Sequence, residues 1–223
     1  MTFEAQVEGL TGLTISSSAS TPTQSELTQF LTDGVKDVIN KIIEISPAET
    51  SKFTTTLHES NNQGITVTGK SISIVREHDS ETILRPCTLI SAQERYKATD
   101  VTSLSYRSKF NPGYYILDGK IYSAPASASG NNDLIVTQVV YPSVSYLDSS
   151  VNDFPDEFEY LIVIYAAMKS LESKMAEYTI DEEDSELAQA IGLNISALGK
   201  QYNEALLVKS SKQQAQQSRR GEE

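Results

Sequence analysis

Any chemistry in this chain would fall to its two histidines, its single cysteine or its clustered carboxylates. His58 and His78 do not combine with Cys87 in any spacing suited to zinc. His78 lies in REHDSE beside Glu77, Asp79 and Glu81, which would bind a metal only if further ligands converged from elsewhere. A polar turn between strands is the simpler expectation. Cys87 follows Pro86 inside an apolar segment, and nothing in that context marks an activated thiol. One cysteine also rules out an internal disulfide. The run DEED at 181–184 lacks the alternating ligands and central glycine of a calcium loop. Asp156, Glu157 and Glu159 could do acid–base work, but acids at a helix N-terminus ordinarily complement the dipole. The glycines form neither a P-loop nor a dinucleotide fingerprint. Asn194-Ile195-Ser196 matches a glycosylation sequon, yet it sits inside a predicted helix. No catalytic, metal-binding or cofactor-binding residue is therefore expected, and the chain does not read as an enzyme.

The elements that would position such groups fall into a clear order. Residues 1–22, rich in Ser, Thr and Gly, read as an extended or flexible N-terminal arm. Thr23 with Glu26 three residues later forms a capping-box pattern. The apolar series Leu27, Phe30, Leu31, Val35, Val38, Ile39, Ile42 and Ile43 then predicts a helix that stops at Ser46-Pro47. Gly34 lies on the same stripe and marks a close approach to another helix. From Phe53 to Tyr146 the period changes to alternation, with short β-branched and aromatic segments between turn signals. Asp118-Gly119 between YYIL and KIYS is a two-residue hairpin signal. A second helix is expected from Phe154 to Tyr178, apolar nearly all round in its first half, with Asn152 or Asp153 as its cap and Pro155 in its first turn. Such a helix needs burial on several sides. A third follows DEED, with Leu187, Ile191, Ile195, Leu198, Tyr202, Ala205 and Leu206 as its stripe, weakened by Gly192 and Gly199. Residues 209–223 read as a disordered tail. The expected fold class is α+β: a helical bundle of three main helices (23–47 and 152–208) with an inserted antiparallel β barrel or sandwich (53–146).

Composition narrows the partners. The 223 residues carry a net charge of −12, with 39% hydrophobic and 22% charged residues. Between 152 and 187, eleven acids face only Lys169 and Lys174, a net of −9. Such a chain offers no basic field to release counterions from a nucleic-acid backbone. An acidic surface would instead let DNA pass by repulsion. The uncharged run from Tyr160 to Met168 is far shorter than the roughly 20 residues a bilayer requires. The start MTFEAQVEGLTG has no basic region followed by an apolar core, so export by a signal peptide is not expected.

Three stretches carry a resemblance. FPDEFEYLIVIYAAMKSLESKMAE, preceded by VVYPSVSY (139–146), resembles a recurring segment of tailed-phage virion proteins. TPTQSELTQFLTDGVKDVINKI and FNPGYYILDGKIYSAP are similar to regions of the same proteins, so the likeness runs from Thr21 to Glu177. The family it points to is the head-to-tail adaptor, or connector, of the phage neck. The resemblance implies a helical bundle with an inserted β domain and a homo-oligomeric ring, a dodecamer in most members, beneath the portal protein. The ring would lengthen the channel for double-stranded DNA without binding it specifically, and would dock downstream neck and tail proteins. It also implies a place in the virion after assembly in the host cytoplasm, with no membrane and no cofactor. The length of the β block and the acidic loop 181–184 depart from the family.

On that reading Leu161, Ile164 and Met168 are candidate subunit-interface residues, the surplus apolar face of the second helix. The hairpin bearing Tyr115, Asp118, Gly119 and Tyr122 is the candidate tail-docking element. Two other readings stay open. One is another ring-forming neck or tail component, such as a tail terminator or tube protein. The other is a host- or glycan-binding module that uses Tyr106, Tyr114, Tyr115 and Tyr122 as stacking surfaces.

Overall fold

The computed structural model describes residues 1–223 except 19, 80–81, 181–184 and 221–223, and the side chains of 180, 185 and 208–220 also lie outside the description. In chain order the elements begin with α1 (Phe3–Thr11), α2 (Gln24–Ile45) and a 3-10 segment (Pro47–Phe53). There follow β1 (Thr54–Glu59), β2 (Ile65–Thr66), β3 (Ser71–Glu77), β4 (Leu84–Pro86), β5 (Thr88–Leu89), a 3-10 turn (Ala92–Glu94) and α3 (Arg95–Thr99). The last are β6 (Gly113–Leu117), β7 (Lys120–Ala124), β8 (Leu134–Val139), α4 (Asp156–Ile180) and α5 (Ser185–Arg220). The protein is mixed α+β. It divides into two compact units, Met1–Phe53 with Tyr141–Glu223, and Thr54–Val140.

In the first unit, α2 starts where the capping box requires. Thr23 accepts from the Glu26 N–H, and Glu26 accepts in return from the Thr23 N–H at 2.7 Å. Its buried stripe is Leu27, Leu31, Gly34, Val35, Val38, Ile39 and Ile42. Helix α4 is the hub and packs against α1, α2 and α5. A Cβ at Gly34 would stand 3.1 Å from Tyr165 Cδ1 and 3.3 Å from the Ile162 carbonyl oxygen, so the α2–α4 approach depends on glycine. The start of α4 is fastened by Glu159, whose carboxylate accepts from the Val151 N–H at 2.6 Å. Asp153 has φ of 55° and so does not hold the extended backbone of an N-cap.

The N-terminal residues correct the expectation of a flexible arm. Phe3–Thr11 is a helix, capped by Thr2 and closed by Gly12 in the left-handed region at φ 70°. Phe3 and Val7 are completely or nearly completely buried, each stabilising by about 1.5–3 kcal/mol relative to exposure. Their i, i+4 spacing was present in the sequence; the Ser/Thr-rich surround hid it. At the other end the α5 backbone stays helical through Arg220, where a disordered tail was expected; 221–223 and the DEED run lie outside the described residues.

The second unit holds two four-stranded sheets, ordered β1-β8-β3-β4 and β2-β7-β6-β5. Their shared core is Ile65, Ile121, Leu134 and Val136, with Ile74 and Tyr114 packed against it. Gln138 is buried on β8, but its amide donates to the Thr66 carbonyl at 2.8 Å and accepts from the Thr68 N–H at 3.2 Å. A satisfied amide of this kind costs little where an orphaned one would cost about 1–3 kcal/mol. Two details correct the expected antiparallel barrel or sandwich. β5 pairs β6 in parallel, and the described strands form two separate sheets rather than a closed barrel. Between β5 and β6 the chain forms α3 and its turns, which alternation alone did not foretell.

Candidate interaction surfaces

The groups with chemical potential are dispersed. Among the described residues no three His, Cys, Asp or Glu side chains converge as a metal site. His78 is buried and lies against the Phe110 ring, centroids 4.6 Å apart, with Nδ1 3.6 Å from an Asp79 carboxylate oxygen. That carboxylate is held by Lys109 at 2.6 Å; Glu81 lies outside the described residues. Burial pushes the Cys87 thiol up to about 12, which keeps it protonated and unreactive at neutral pH. An open cleft of about 780 Å³ is lined by His58, Glu77 and Asp133 among others. His58 Nδ1 stands 4.0 Å from Asp133, and Glu77 accepts from the Asp133 N–H at 3.1 Å. Burial, then the Glu77 charge, raises the Asp133 carboxyl. The neighbouring Thr56 hydroxyl is hydrogen-bonded to the Thr137 hydroxyl at 3.0 Å.

The hairpin of β6 and β7 has the turn its sequence demands. Asp118 and Gly119 lie at φ 50° and 71°, as a type I′ turn requires. Behind the turn, Tyr115 and Tyr122 are cross-strand partners whose rings stack 5.5 Å apart at 15°. Burial, chiefly, raises the Tyr115 phenol. The tip is exposed but not free-standing: the Val67 N–H donates to the Gly119 carbonyl at 2.9 Å, and Lys120 donates to the Gln63 carbonyl at 3.3 Å. A Cβ at Gly64 would strike the Tyr122 ring at 2.7 Å. The structure thus brings Tyr115, Asp118, Gly119 and Tyr122 together on one short hairpin.

The three interface candidates on α4 are placed differently. Leu161 is 0% exposed and Ile164 is buried, both inside their own unit. Met168 directs its sulfur at α5, 3.7 Å from where a Gly199 Cβ would be. The surplus apolar face of α4 is thus covered from within the chain, chiefly because α1 and α5 pack on it. What α4 offers outward is narrower. Tyr160, Val163 and Ile164, with Ala5, Leu10 and Gln201, line a groove of about 350 Å³ between α1, α4 and α5.

The second unit also carries exposed apolar surface. The lobe from 89 to 110 is folded around buried Ala98, whose carbonyl accepts from the Arg107 N–H at 2.9 Å. Leu104 is fully exposed, and Leu89, Tyr96, Val101 and Phe110 are 62–73% exposed. These residues follow neither a helical nor a strand period, so no pattern flagged them. Density of large apolar residues among basic ones was the only available signal.

No protein-family model matches this sequence, and comparison with curated proteins finds no match. Among the described residues no helix is long and apolar enough to cross a membrane.

Proposed function

We infer that this protein is a structural component of a tailed-phage virion: a head-to-tail adaptor that forms a ring beneath the portal, extends the DNA channel and docks the tail. The observation that carries the reading is the arrangement of the three stretches that resemble the adaptor family. Two of them become α2 and α4, which pack together in the helical unit, and the third becomes the β6–β7 hairpin of the unit between them in sequence. A helical bundle with an inserted β domain, as the resemblance implies, is the architecture this division favours. Exposed apolar surface on both units suits a subunit of a larger assembly better than a solitary monomer. The acidic stretch 152–187 suits a channel through which DNA slides.

Native mass spectrometry of the purified chain, alone and with the portal protein, tests the reading. Closed rings of identical subunits are expected, and virions lacking the protein should have filled heads and no tails. A monomer under both conditions would overturn it.

A further inference from the structure

The two exposed apolar surfaces differ in their electrostatic surroundings. Segment 83–112, which contains the lobe, holds Arg85, Arg95, Lys97, Arg107 and Lys109 against Glu94 and Asp100, a net of +3 in a chain of net −12. Part of that charge is locally paired, Lys97 to Glu94 at 3.3 Å and Lys109 to Asp79 at 2.6 Å. Arg95 stacks its guanidinium over the Tyr96 ring, 4.3 Å from the centroid, giving the lobe an amphipathic aromatic–cation face. The groove of the helical unit has the opposite character. Leu10 and Tyr160 on its walls are 47% and 42% exposed. Asp156 lies one turn before Tyr160 on α4, and Glu204, 3.8 Å from Lys200, lies three residues after Gln201 on α5, so acids flank the groove on two helices, one of them locally paired. Both acids are exposed.

We propose that the 89–110 lobe of one copy docks into the α1/α4/α5 groove of the next copy, apolar side chains entering the groove and Arg95 and Lys97 meeting Asp156 and Glu204. Neither surface suits itself, because a two-fold pairing would oppose like charges on both sides. Pairing of unlike patches is heterologous, and repeated around an axis it closes a ring. The inference rests on the adaptor reading for its partner, a second copy of this chain, and gives that ring its contact. Because the rim charges are exposed, the contact weakens with salt while its apolar centre persists.

The test uses the full chain with Cys87→Ala, which removes the native thiol, and adds Leu10→Cys and Leu104→Cys together. Treatment with a short bis-maleimide should give a ladder of dimers, trimers and higher species, whereas either single-cysteine chain should give none. Arg95→Glu with Lys97→Glu should abolish the ladder, and adding Asp156→Lys with Glu204→Lys should restore it. Rings in the native mass spectrum without a ladder would overturn this contact and leave the adaptor reading standing. Monomers without a ladder would overturn both. A ladder from open filaments would support the contact and count against the ring. Circular dichroism matching the parent chain keeps misfolding from imitating a lost contact.

Discussion

Helix α4 and the lobe around α3 are both dense in large apolar side chains and treat them in opposite ways. On α4, Phe158, Leu161, Ile162 and Leu171 are buried among three other helices. In the lobe, Leu89, Tyr96, Val101, Leu104 and Phe110 face outward. Spacing is the physical difference. A three- and four-residue period puts α4's side chains on faces that neighbouring helices can cover, whereas the lobe's irregular spacing gives no single element a face to bury. Apolar residues that repeat hold this fold together; those that do not repeat stay exposed.

The strongest way to break that comparison is to place a charge in each region. Leu161→Asp should unfold the helical unit, with a loss of about 4 kcal/mol or more, because an unpaired carboxylate cannot be accommodated at a fully buried site. Thermal melting followed by circular dichroism at 222 nm reads this directly; a folded variant with a near-parental melting temperature would show that α4 is not the hub. Gly34→Val sharpens the same claim, since its side chain must displace Tyr165 or the Ile162 carbonyl. A cost of about 1–3 kcal/mol is expected from denaturant titration.

Smaller effects separate the units by pH. Tyr202 is buried on α5 and donates to Asp37 at 2.6 Å. Burial, and then the bond to Asp37, raise its phenol above the ordinary 10.0. Above pH 10.0 the unfolded chain sheds a proton that the folded chain keeps, so stability is full below that pH and falls as pH rises. Tyr202→Phe should cost about 1.5 kcal/mol at neutral pH and flatten the alkaline loss. In the β unit the sign reverses. Burial works against the Glu59 charge, but the Ser127 hydroxyl and the Gln63 and Asn61 N–H groups outweigh it and hold the carboxyl below its ordinary 4.5. Its contribution is present above pH 4.5 and lost as pH falls. Glu59→Gln should therefore make the acid unfolding of this unit less steep, as monitored by hydrogen exchange on β1. The smallest effect is Leu104→Asp, within about 0.5 kcal/mol of the parent; a larger loss would mean the lobe is part of a core.

Much of this was legible in the residues themselves. The capping box at Thr23 and Glu26, the α2 stripe and the close helix approach at Gly34 all follow from local spacing. So does the type I′ turn at Asp118-Gly119, because only a few residue types tolerate two positive φ values. The α5 stripe of Ile191, Tyr202 and Leu206 was also visible; its two glycines, which looked like weaknesses, are where Met175 and Met168 pack. What escaped was non-local. Phe3 and Val7 gave a helix too short to stand on its own signal, since an isolated nine-residue helix is marginal without a surface to cover. Helix α1 covers part of the α4 surface that the α4 sequence by itself presents as surplus, and Leu161 and Ile164 are buried. The parallel β5–β6 pairing and the lobe between them depend on tertiary contacts that no alternation encodes.

Cryo-electron microscopy of the neck of virions carrying this chain tests the central claim most directly. The expected result is a closed ring of this protein coaxial with the portal, one side against it and the other against the tail. Density for the chain in a fibre, a tail tube or a host-binding tip, with no ring below the portal, would contradict it.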